Sequence, residues 1–367
     1  MASDAFDFLI PGELESATGG YIYDRRLVAE LRSLGWQARV RALQASFPEP
    51  TAAALEHAER VLADIPTGRP VLIDGLAFSA MPQVLRAHAT RLPLLALLHM
   101  PLGATPDENP ARLAHLRHIE ASALRSARRV IVTGRASLAA LGEYGLPSGQ
   151  IVLIEPGTDL GEPAQHRSRT PIRMLCVATV QPHKGHGLLV EALAALASLP
   201  WQLTCVGSLT RCPDAVEQLR TRIRQLGLTQ RIDLIGEVPH AALARFYQRS
   251  DLFVLASRFE SYCMAAAEAL AHGLPVVSTH TGAMPELVGT LAGRLVPAGD
   301  VQQLRAALEA PLRDPGLLAT WADAAAAVRL RLPRWSQAAS RFAALLREAG
   351  TPCVTHATEA ALPPPAH

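Results

Sequence analysis

A chain of 367 residues is too long for one ordinary hydrophobic core, and its length predicts two domains of typical size. The hydrophobic content of 49% is typical of a soluble α/β protein, and the net charge of +2 gives no indication of a nucleic-acid-binding surface. Five cysteines at irregular spacings favour the reducing cytoplasm over a disulfide framework, and Cys176 and Cys205, which lie in apolar runs, are interpreted as core residues.

Apolar runs alternate with helical patterns in the first half of the chain, which predicts a Rossmann-like domain over residues 1–160. The N-terminus lacks the basic segment and apolar core of a secretory signal, and no apolar run is long enough to span a bilayer. We therefore expect a soluble, cytoplasmic protein. Strands are predicted at residues 6–10, 38–43, 71–74, 94–98, 129–133 and 150–154.

Small and polar residues follow several of these strands. Gly19 and Gly20 precede a helix predicted over residues 21–34, and such a pair lets backbone amides approach a phosphate or a sugar, although a tight turn is the simpler explanation. Asp74 and His99 end their strands, where ligands collect in open α/β sheets. For His99, a ligand contact and a structural hydrogen bond to nearby backbone carry equal weight.

Two further segments complete the first half. A helix predicted over residues 111–128 carries several arginines, and a basic face of this kind can rest on a membrane. Acidic and small residues interrupt the arginines, however, which favours a solvated face. Residues 161–170 are polar and without periodicity, and they predict a linker.

The second half repeats the alternation of strands and helices and predicts another Rossmann-like domain over residues 171–330. Residues 351–367 are rich in alanine and proline and predict a disordered tail. Strands are predicted at residues 171–178, 201–206, 232–235, 252–257 and 274–277, and the last helices at 301–312, 317–329 and 335–348.

Lys184 is the only lysine in the chain, so every other residue among the 35 lysines and arginines is an arginine. It precedes Gly185 in the loop between a predicted strand and a helix, where a Rossmann-like domain receives phosphate. A single lysine can occur anywhere by chance, but this location favours a phosphate contact.

Two acids accompany the strand predicted at residues 252–257. Glu260 falls in the loop after that strand, and Glu268 falls inside a short apolar helix after seven intervening residues. Because a buried carboxylate without a partner is strongly unfavourable, we expect a polar group to meet Glu268. A solvated helix acid beside a loop acid is the simpler alternative.

The two acids, with Ala-His-Gly-Leu-Pro-Val-Val after them, resemble the Glu-x7-Glu motif of the retaining, nucleotide-sugar-dependent glycosyltransferases of family 4. Residues 179–185 are similar to the phosphate loop of that family, and residues 155–159 to its Pro-x-Gly-x-Asp turn. His99-Met-Pro-Leu is similar to a bacterial subgroup, some members of which are associated with small heteroaromatic acceptors such as pterins. The chain departs from the family at Thr179, where arginine is usual, and at Ser261 and Cys263, where glycine is usual.

The resemblance implies the GT-B fold, which has two Rossmann-like domains around a cleft and a last helix, here residues 331–350, that crosses back to the first domain. It implies transfer of a hexosyl group from a UDP-linked donor to a glycan, a lipid or a small heteroaromatic acceptor held by loops 14–18, 78–81 and 102–109. Its reaction centre would comprise Glu260 at the sugar hydroxyls, Lys184 at the diphosphate and His99 near C6 of the sugar. Donor contacts would come from Gly20, Thr179, Gly207, Val238, Cys263, Met264 and Glu268.

The sequence contains no Asp-x-Asp motif and no Cys/His cluster with ligand spacing, so we predict no metal and no cofactor. Two other functions share the two Rossmann halves: a GT-B sugar-nucleotide epimerase, and a non-catalytic nucleotide-sugar sensor, which Thr179 and Cys263 favour. The absence of Gly-x-Gly-x-x-Gly after the first strand argues against an oxidoreductase.

Overall fold

The computed structural model describes residues 4–16, 18–104, 109–164 and 170–351. They form two six-stranded sheets with helices on both faces, and every strand pairing is parallel. The central strands of both sheets are mostly buried because helices cover both faces, as expected for parallel sheets, whereas the edge strands keep several partly or fully exposed residues. Parts of the predicted linker, the predicted tail and two of the predicted acceptor loops lie outside the described residues.

The first sheet has the order β2-β1-β3-β4-β5-β6. Its elements are β1 (Ala5–Pro11), α1 (Gly19–Ser33), β2 (Gln37–Leu43), α2 (Ala52–Ala63), β3 (Val71–Asp74), α3 (Gly75–Phe78), α4 (Pro82–His88), β4 (Leu94–Leu98), α5 (Pro110–Leu124), β5 (Arg129–Val132), α6 (Arg135–Ala140) and β6 (Ile151–Leu153).

The second sheet has the order β12-β11-β10-β7-β8-β9. Its elements are β7 (Ile172–Val177), α7 (His186–Ala194), β8 (Trp201–Val206), α8 (Pro213–Gln225), β9 (Ile232–Gly236), α9 (His240–Arg249), β10 (Leu252–Leu255), α10 (Met264–Ala271), β11 (Val276–Thr279), α11 (Met284–Val288), β12 (Gly293–Val296), α12 (Val301–Arg313) and α13 (Pro315–Arg329), followed by α14 (Trp335–Gly350).

The sequence predicts eleven of the twelve strands of the described residues; it misses β12 (Gly293–Val296), a short strand at the edge of the second sheet, and the other strands differ only at their ends. The predicted loop over Gly19 and Gly20 is wrong, because α1 begins at Gly19 and Thr18 caps it by accepting a hydrogen bond from the Tyr21 amide. The helix predicted over residues 111–128 ends earlier than predicted, because α5 ends at Leu124 with Arg125 as its C-cap. The boundaries predicted for the two domains remain predictions.

The topology of each sheet creates a crevice at the carboxyl ends of its strands. In the second sheet the strand order reverses between β7 and β10, and ligands of open α/β sheets bind outside such a switch point. In the first sheet the corresponding point lies between β1 and β3. The ends of these four strands and the segments after them carry Gly20, Asp74, Lys184 and Glu260, whereas His99, Gly207 and Val238 follow β4, β8 and β9.

The last helix, α14, packs on the first half of the chain, which confirms the predicted crossover. Tyr23 of α1 meets the rings of Trp335 and Phe342 edge to face, at centroid distances of 5.2 and 6.3 Å. These residues belong to a hydrophobic cluster that also contains core residues of β1 and β3. Among the described residues, no helix combines the length and the apolar character needed to cross a membrane.

We expect Leu346→Ala in α14 to lower the free energy of unfolding by about 2–5 kcal/mol, because the side chain is fully buried against the first half and its removal leaves a cavity. The neighbouring Leu345 is only partly buried, so Leu345→Ala is a control with the same change in helix propensity and should cost less. Urea denaturation measures the free energy of unfolding of both variants. Equal losses for the two variants would contradict the packing described for α14.

Candidate functional site

The switch point of the second sheet brings together Lys184 and Glu260. The Lys184 ammonium donates a hydrogen bond to Glu260 Oε1 at 2.7 Å, and Ser257 Oγ donates to the same oxygen at 2.7 Å. The side chain of Lys184 is 23% exposed and that of Glu260 is 8% exposed. Burial by itself would lower the pKa of Lys184, but the Glu260 carboxylate outweighs this effect and raises the pKa above its usual value, so the ammonium stays charged.

The loop that carries Lys184 is held tightly against the loop after β10. Gly185 has a φ of +71°, and a Cβ at this position would lie 1.9 Å from the carbonyl oxygen of Ala256, so glycine is required there. The Arg258 amide also donates to the His183 carbonyl at 2.8 Å. The ammonium is therefore fixed on a rigid turn rather than on a mobile loop.

The N-terminus of α10 follows the loop that carries Glu260, and the first amides of a helix have no acceptor one turn earlier within it. Cys263 caps this helix without a side-chain hydrogen bond, and its φ is +76°. It is the only non-glycine residue with positive φ among the described residues. Such a conformation costs an L-residue roughly 1–2 kcal/mol, which explains why glycine is usual in the family that the sequence resembles.

Glu268 lies within α10 and meets the polar partner that the sequence analysis expects. The Tyr247 hydroxyl donates to Glu268 Oε2 at 3.0 Å, and the Tyr247 ring stacks on His272 at 5.1 Å. Burial raises the pKa of Glu268, while His240 and the Tyr247 hydrogen bond oppose this shift. The carboxylate is thereby oriented with one oxygen left for another partner.

A cleft of about 350 Å³ lies beside Glu268, between the two halves of the chain. Arg25 and Arg26 of α1 line the cleft from the first half. Residues 157–162, in the segment between β6 and β7, also line it. Arg26 forms an ion pair with Asp159 at 2.7 Å. The remaining lining residues from the second half and α14 are His240, Leu243, Ala244, Tyr247, Gln248, Met264, Glu268, His272 and Trp335.

His99, at the end of β4, is bound to two buried carboxylates. Its Nε2 lies 2.9 Å from Asp24 Oδ1 and 3.5 Å from Asp74 Oδ2, while Asp24 is fully buried and Asp74 is 3% exposed. Because carboxylates accept hydrogen bonds, this arrangement keeps a proton on Nε2 of His99. The expectation of a simple backbone contact for His99 misses this cluster.

The two carboxylates and the imidazole shift one another's protonation. Burial and the Asp24 charge raise the pKa of Asp74 to about 7, while the His99 charge opposes them. Burial by itself would lower the pKa of His99, but Asp24 and Asp74 outweigh it and raise that pKa above its usual value. The cluster therefore holds protons near neutral pH more tightly than its isolated members would.

Gly20 lies against the His99 ring rather than at an open loop. A Cβ on Gly20 would come within 3.0 Å of His99 Cδ2, so a side chain at this position would have to displace the imidazole. Tyr23 packs edge to face on the other side of the ring at 5.0 Å. The first-half residues selected from the sequence, Gly20, Asp74 and His99, thus share one site.

The other residues predicted to bind the donor have different surroundings. Thr179 and Gly207 are adjacent, because a Cβ on Gly207 would lie 2.9 Å from the Thr179 amide nitrogen. Val238 lies in the loop before α9 and packs against the second core, and Met264 lines the cleft. Their roles as donor contacts remain predictions.

Several residues in the cleft were not selected from the sequence. Asp24 occupies a buried position of α1 together with Leu27, Val28 and Leu31, so an acid in the apolar stripe of a helix was the available signal. Neither Tyr247 of α9 nor Arg26 of α1 breaks a sequence pattern in this way, so the sequence did not indicate them. Arg211, in the loop after β8, acts electrostatically on Tyr21 across the cleft.

Two groups of potential metal ligands form in space although the sequence spacing shows neither. Asp24, Asp74 and His99 have ligand atoms within 4.8 Å of one another, and so do Cys176, His186 and Cys205. The first group is a hydrogen-bonded cluster. The second lies in the core of the second half, where Cys176 Sγ is 3.7 Å from His186 Nε2.

The architecture defines the class of protein: two Rossmann-like sheets facing a cleft, with a last helix that returns to the first half, are the GT-B fold. Solved glycosyltransferase structures share it. Sucrose-phosphate synthase from Thermosynechococcus elongatus superposes with a TM-score of 0.77 at 21% identity, covering 94% of this chain and 98% of that one. HepE of Anabaena, solved with UDP and glucose, gives a TM-score of 0.75 at 19% identity, covering 93% and 99%.

Residues 162–328 match the family model of glycosyl transferases group 1. The chain is 28% identical over 291 residues to D-inositol 3-phosphate glycosyltransferase 1 of Catenulispora acidiphila, covering 73% of this chain and 67% of that protein. It is 32% identical over 178 residues to mannosylfructose-phosphate synthase of Agrobacterium fabrum, covering 44% and 39%. The match to this second relative thus spans well under half of its length.

We expect the wild-type protein to lose stability relative to Asp74→Asn as pH rises from about 4 to 7. The pKa of Asp74 is higher in the folded chain, at about 7, than in the unfolded chain, so folding binds a proton in this interval and stability is lost as pH rises through it. Asparagine keeps the cap that Asp74 provides to the Leu76 amide. Urea denaturation at pH 5 and pH 8, with the exposed Asp323→Asn as control, measures the difference; parallel pH profiles for wild type and Asp74→Asn would contradict it.

Proposed function

We propose that the protein is a metal-independent, retaining glycosyltransferase of the cytoplasm that moves a hexosyl group from a UDP-linked sugar to an acceptor. The observation that carries the proposal is the Lys184–Glu260 pair at the switch point of the second sheet, beside the amides at the start of α10. The match of residues 162–328 to glycosyl transferases group 1 supports it. The complex of HepE with UDP and glucose supports a UDP-linked donor.

In this proposal the second half binds the donor. Lys184 has three ammonium protons and uses one on Glu260, so two remain for the diphosphate. The amides and dipole at the start of α10 face the same negative charge, and Glu268 accepts hydrogen bonds from the ribose hydroxyls. Because negative charge grows on the diphosphate as its bond to the sugar breaks, these donors stabilise the transition state more than the ground state.

The proposed reaction balances without a covalent enzyme intermediate. The bond from the anomeric carbon to the diphosphate oxygen breaks, and its electron pair stays on that oxygen. The acceptor oxygen forms a bond to the anomeric carbon from the same face, and its proton passes to the departing diphosphate oxygen. Glu260 and His99 hold the sugar on either side, from the second and the first half respectively.

We expect Lys184→Ala to lower kcat/KM by at least about 100-fold, because the variant removes the proposed diphosphate cation and leaves Glu260 buried without its partner. Lys184→Arg keeps the charge and should retain more activity, which separates the charge from the exact geometry. Initial rates with a UDP-sugar measure the effect, and thermal unfolding reports whether each variant folds. Near wild-type turnover in Lys184→Ala would show that the assigned phosphate site is wrong.

Glu268→Gln should weaken donor binding by about 10- to 100-fold, since hydrogen bonds to a charged carboxylate are worth about 1.5–3 kcal/mol. The loss should be smaller for a donor with deoxyribose, which lacks one of the hydroxyls. Calorimetric binding of both nucleotides measures this, with the exposed Glu217→Gln as control. An equal loss for ribose and deoxyribose donors would contradict the ribose contact.

The metal-independent mechanism and the alternatives are tested together by product analysis. A transferase releases UDP only when an acceptor is present, an epimerase converts the donor sugar alone, and a sensor binds UDP but releases none. Turnover that survives EDTA supports the role of Lys184 and the α10 amides in place of a metal. A screen of UDP, GDP and ADP sugars by thermal shift identifies the donor first, because a bound ligand raises apparent stability.

A further inference from the structure

Three buried hydroxyls join the two halves of the chain at the donor loop, which is the loop of residues 256–263 between β10 and α10. Ser261, next to Glu260, lies 2.8 Å from Ser137 Oγ and 3.4 Å from Thr133 Oγ1, both in the segment that follows β5. Ser137 is fully buried, Thr133 is 3% exposed and Ser261 is 9% exposed. Water therefore competes little for these hydrogen bonds.

The protons of these hydroxyls can be assigned. Thr133 donates its single proton to the carbonyl oxygen of His99 at 3.2 Å, so Ser261 must donate to Thr133 and Ser137 must donate to Ser261. The hydrogen bonds thus run in one direction, from Ser137 through Ser261 and Thr133 to the backbone of His99. Ser261, in the loop after β10, is thereby connected through Thr133 to the backbone of His99 in the first half.

The backbones of the two halves also pack closely against each other at this contact. Gly134 lies against the donor loop so tightly that a Cβ on it would be 2.2 Å from the carbonyl oxygen of Ser261. Gly134 has ordinary extended φ, so the requirement for glycine comes from the opposite half of the chain and not from its own conformation. The nearby ion pair of Arg135 with Glu286, at 3.8 Å, is exposed and contributes little.

We propose that Thr133, Gly134, Ser137 and Ser261 form an interdomain latch that holds the cleft closed and sets the position of the Glu260 loop relative to His99. The family that the sequence resembles usually has a glycine in place of Ser261, and glycine offers no hydroxyl for this contact. Each half has its own hydrophobic core, so the halves can separate at this contact without unfolding.

The latch gives Ser261 a positioning role. Ser261 touches neither the reacting bond nor the diphosphate in this proposal; it acts through Glu260 and His99, which hold the sugar from opposite sides. An error of about 1 Å in such an arrangement can cost about 100-fold in rate. This role rests on the proposed glycosyl transfer, but the closed contact itself does not.

The test uses the full chain with Gly134→Ala, which places a methyl group against Ser261, and Gly142→Ala as the matched control, since a Cβ at Gly142 meets nothing within 4 Å. Hydrogen exchange of peptides covering residues 132–138 and 257–263, with small-angle scattering, reports closure without any substrate. We expect Gly134→Ala to exchange faster in both peptides and to have a larger radius of gyration, while Gly142→Ala matches wild type.

Measurements of kcat and of the UDP dissociation constant separate a positioning role of the latch from a role in donor binding. We expect Gly134→Ala to lower kcat by about 10- to 100-fold and to leave the UDP dissociation constant within about threefold of wild type, because the proposed UDP contacts lie in the second half. Ser261→Ala and Ser261→Gly should each lower kcat by about fivefold through loss of the hydrogen bonds to Ser137 and Thr133, and Ser261→Thr should restore part of it.

The latch is wrong if Gly134→Ala exchanges and scatters like wild type, or if its turnover falls while exchange at residues 257–263 is unchanged. A wild-type protein that transfers no sugar contradicts the proposed function instead, and the exchange and scattering comparison then decides the latch alone.

Discussion

The buried ion pair of Lys184 with Glu260 is the interaction on which the arrangement of the site depends. Removing two charges from water is costly, and the pair persists because the two side chains satisfy each other and Ser257 donates to the carboxylate. The pair forms where the loops after β7 and β10 meet at the switch point of the second sheet. The turn at Gly185 holds these two loops together. An ammonium fixed in this way, with protons to spare, is suited to an anionic ligand.

A second buried polar cluster lies in the first half of the chain. Asp24 and Asp74 surround His99, and both acids are buried, while the imidazole side chain is 22% exposed. The cleft itself carries both signs of charge, because Arg25 and Arg26 of the first half and Glu268 of the second half line it.

Departures from the family pattern acquire physical explanations in the structure. Cys263 adopts the left-handed conformation that glycine usually provides, so its backbone amide keeps the required direction in spite of the side chain. Ser261, also in place of glycine, gains two hydroxyl partners in the first half. Thr179, in place of arginine, leaves Lys184 as the cation of its loop.

The sequence by itself determined the two Rossmann-like halves, eleven of the twelve described strands and the crossover helix, because apolar runs and helical periodicity are local signals. It also selected Lys184, Glu260, Glu268 and His99, since each follows or accompanies a strand end. Only the tertiary structure decided which of these side chains meet: the pairing of Lys184 with Glu260 and the contacts across the cleft join residues far apart in the chain. Strand order and the closeness of the two halves set these distances, and neither has a local signature in the sequence.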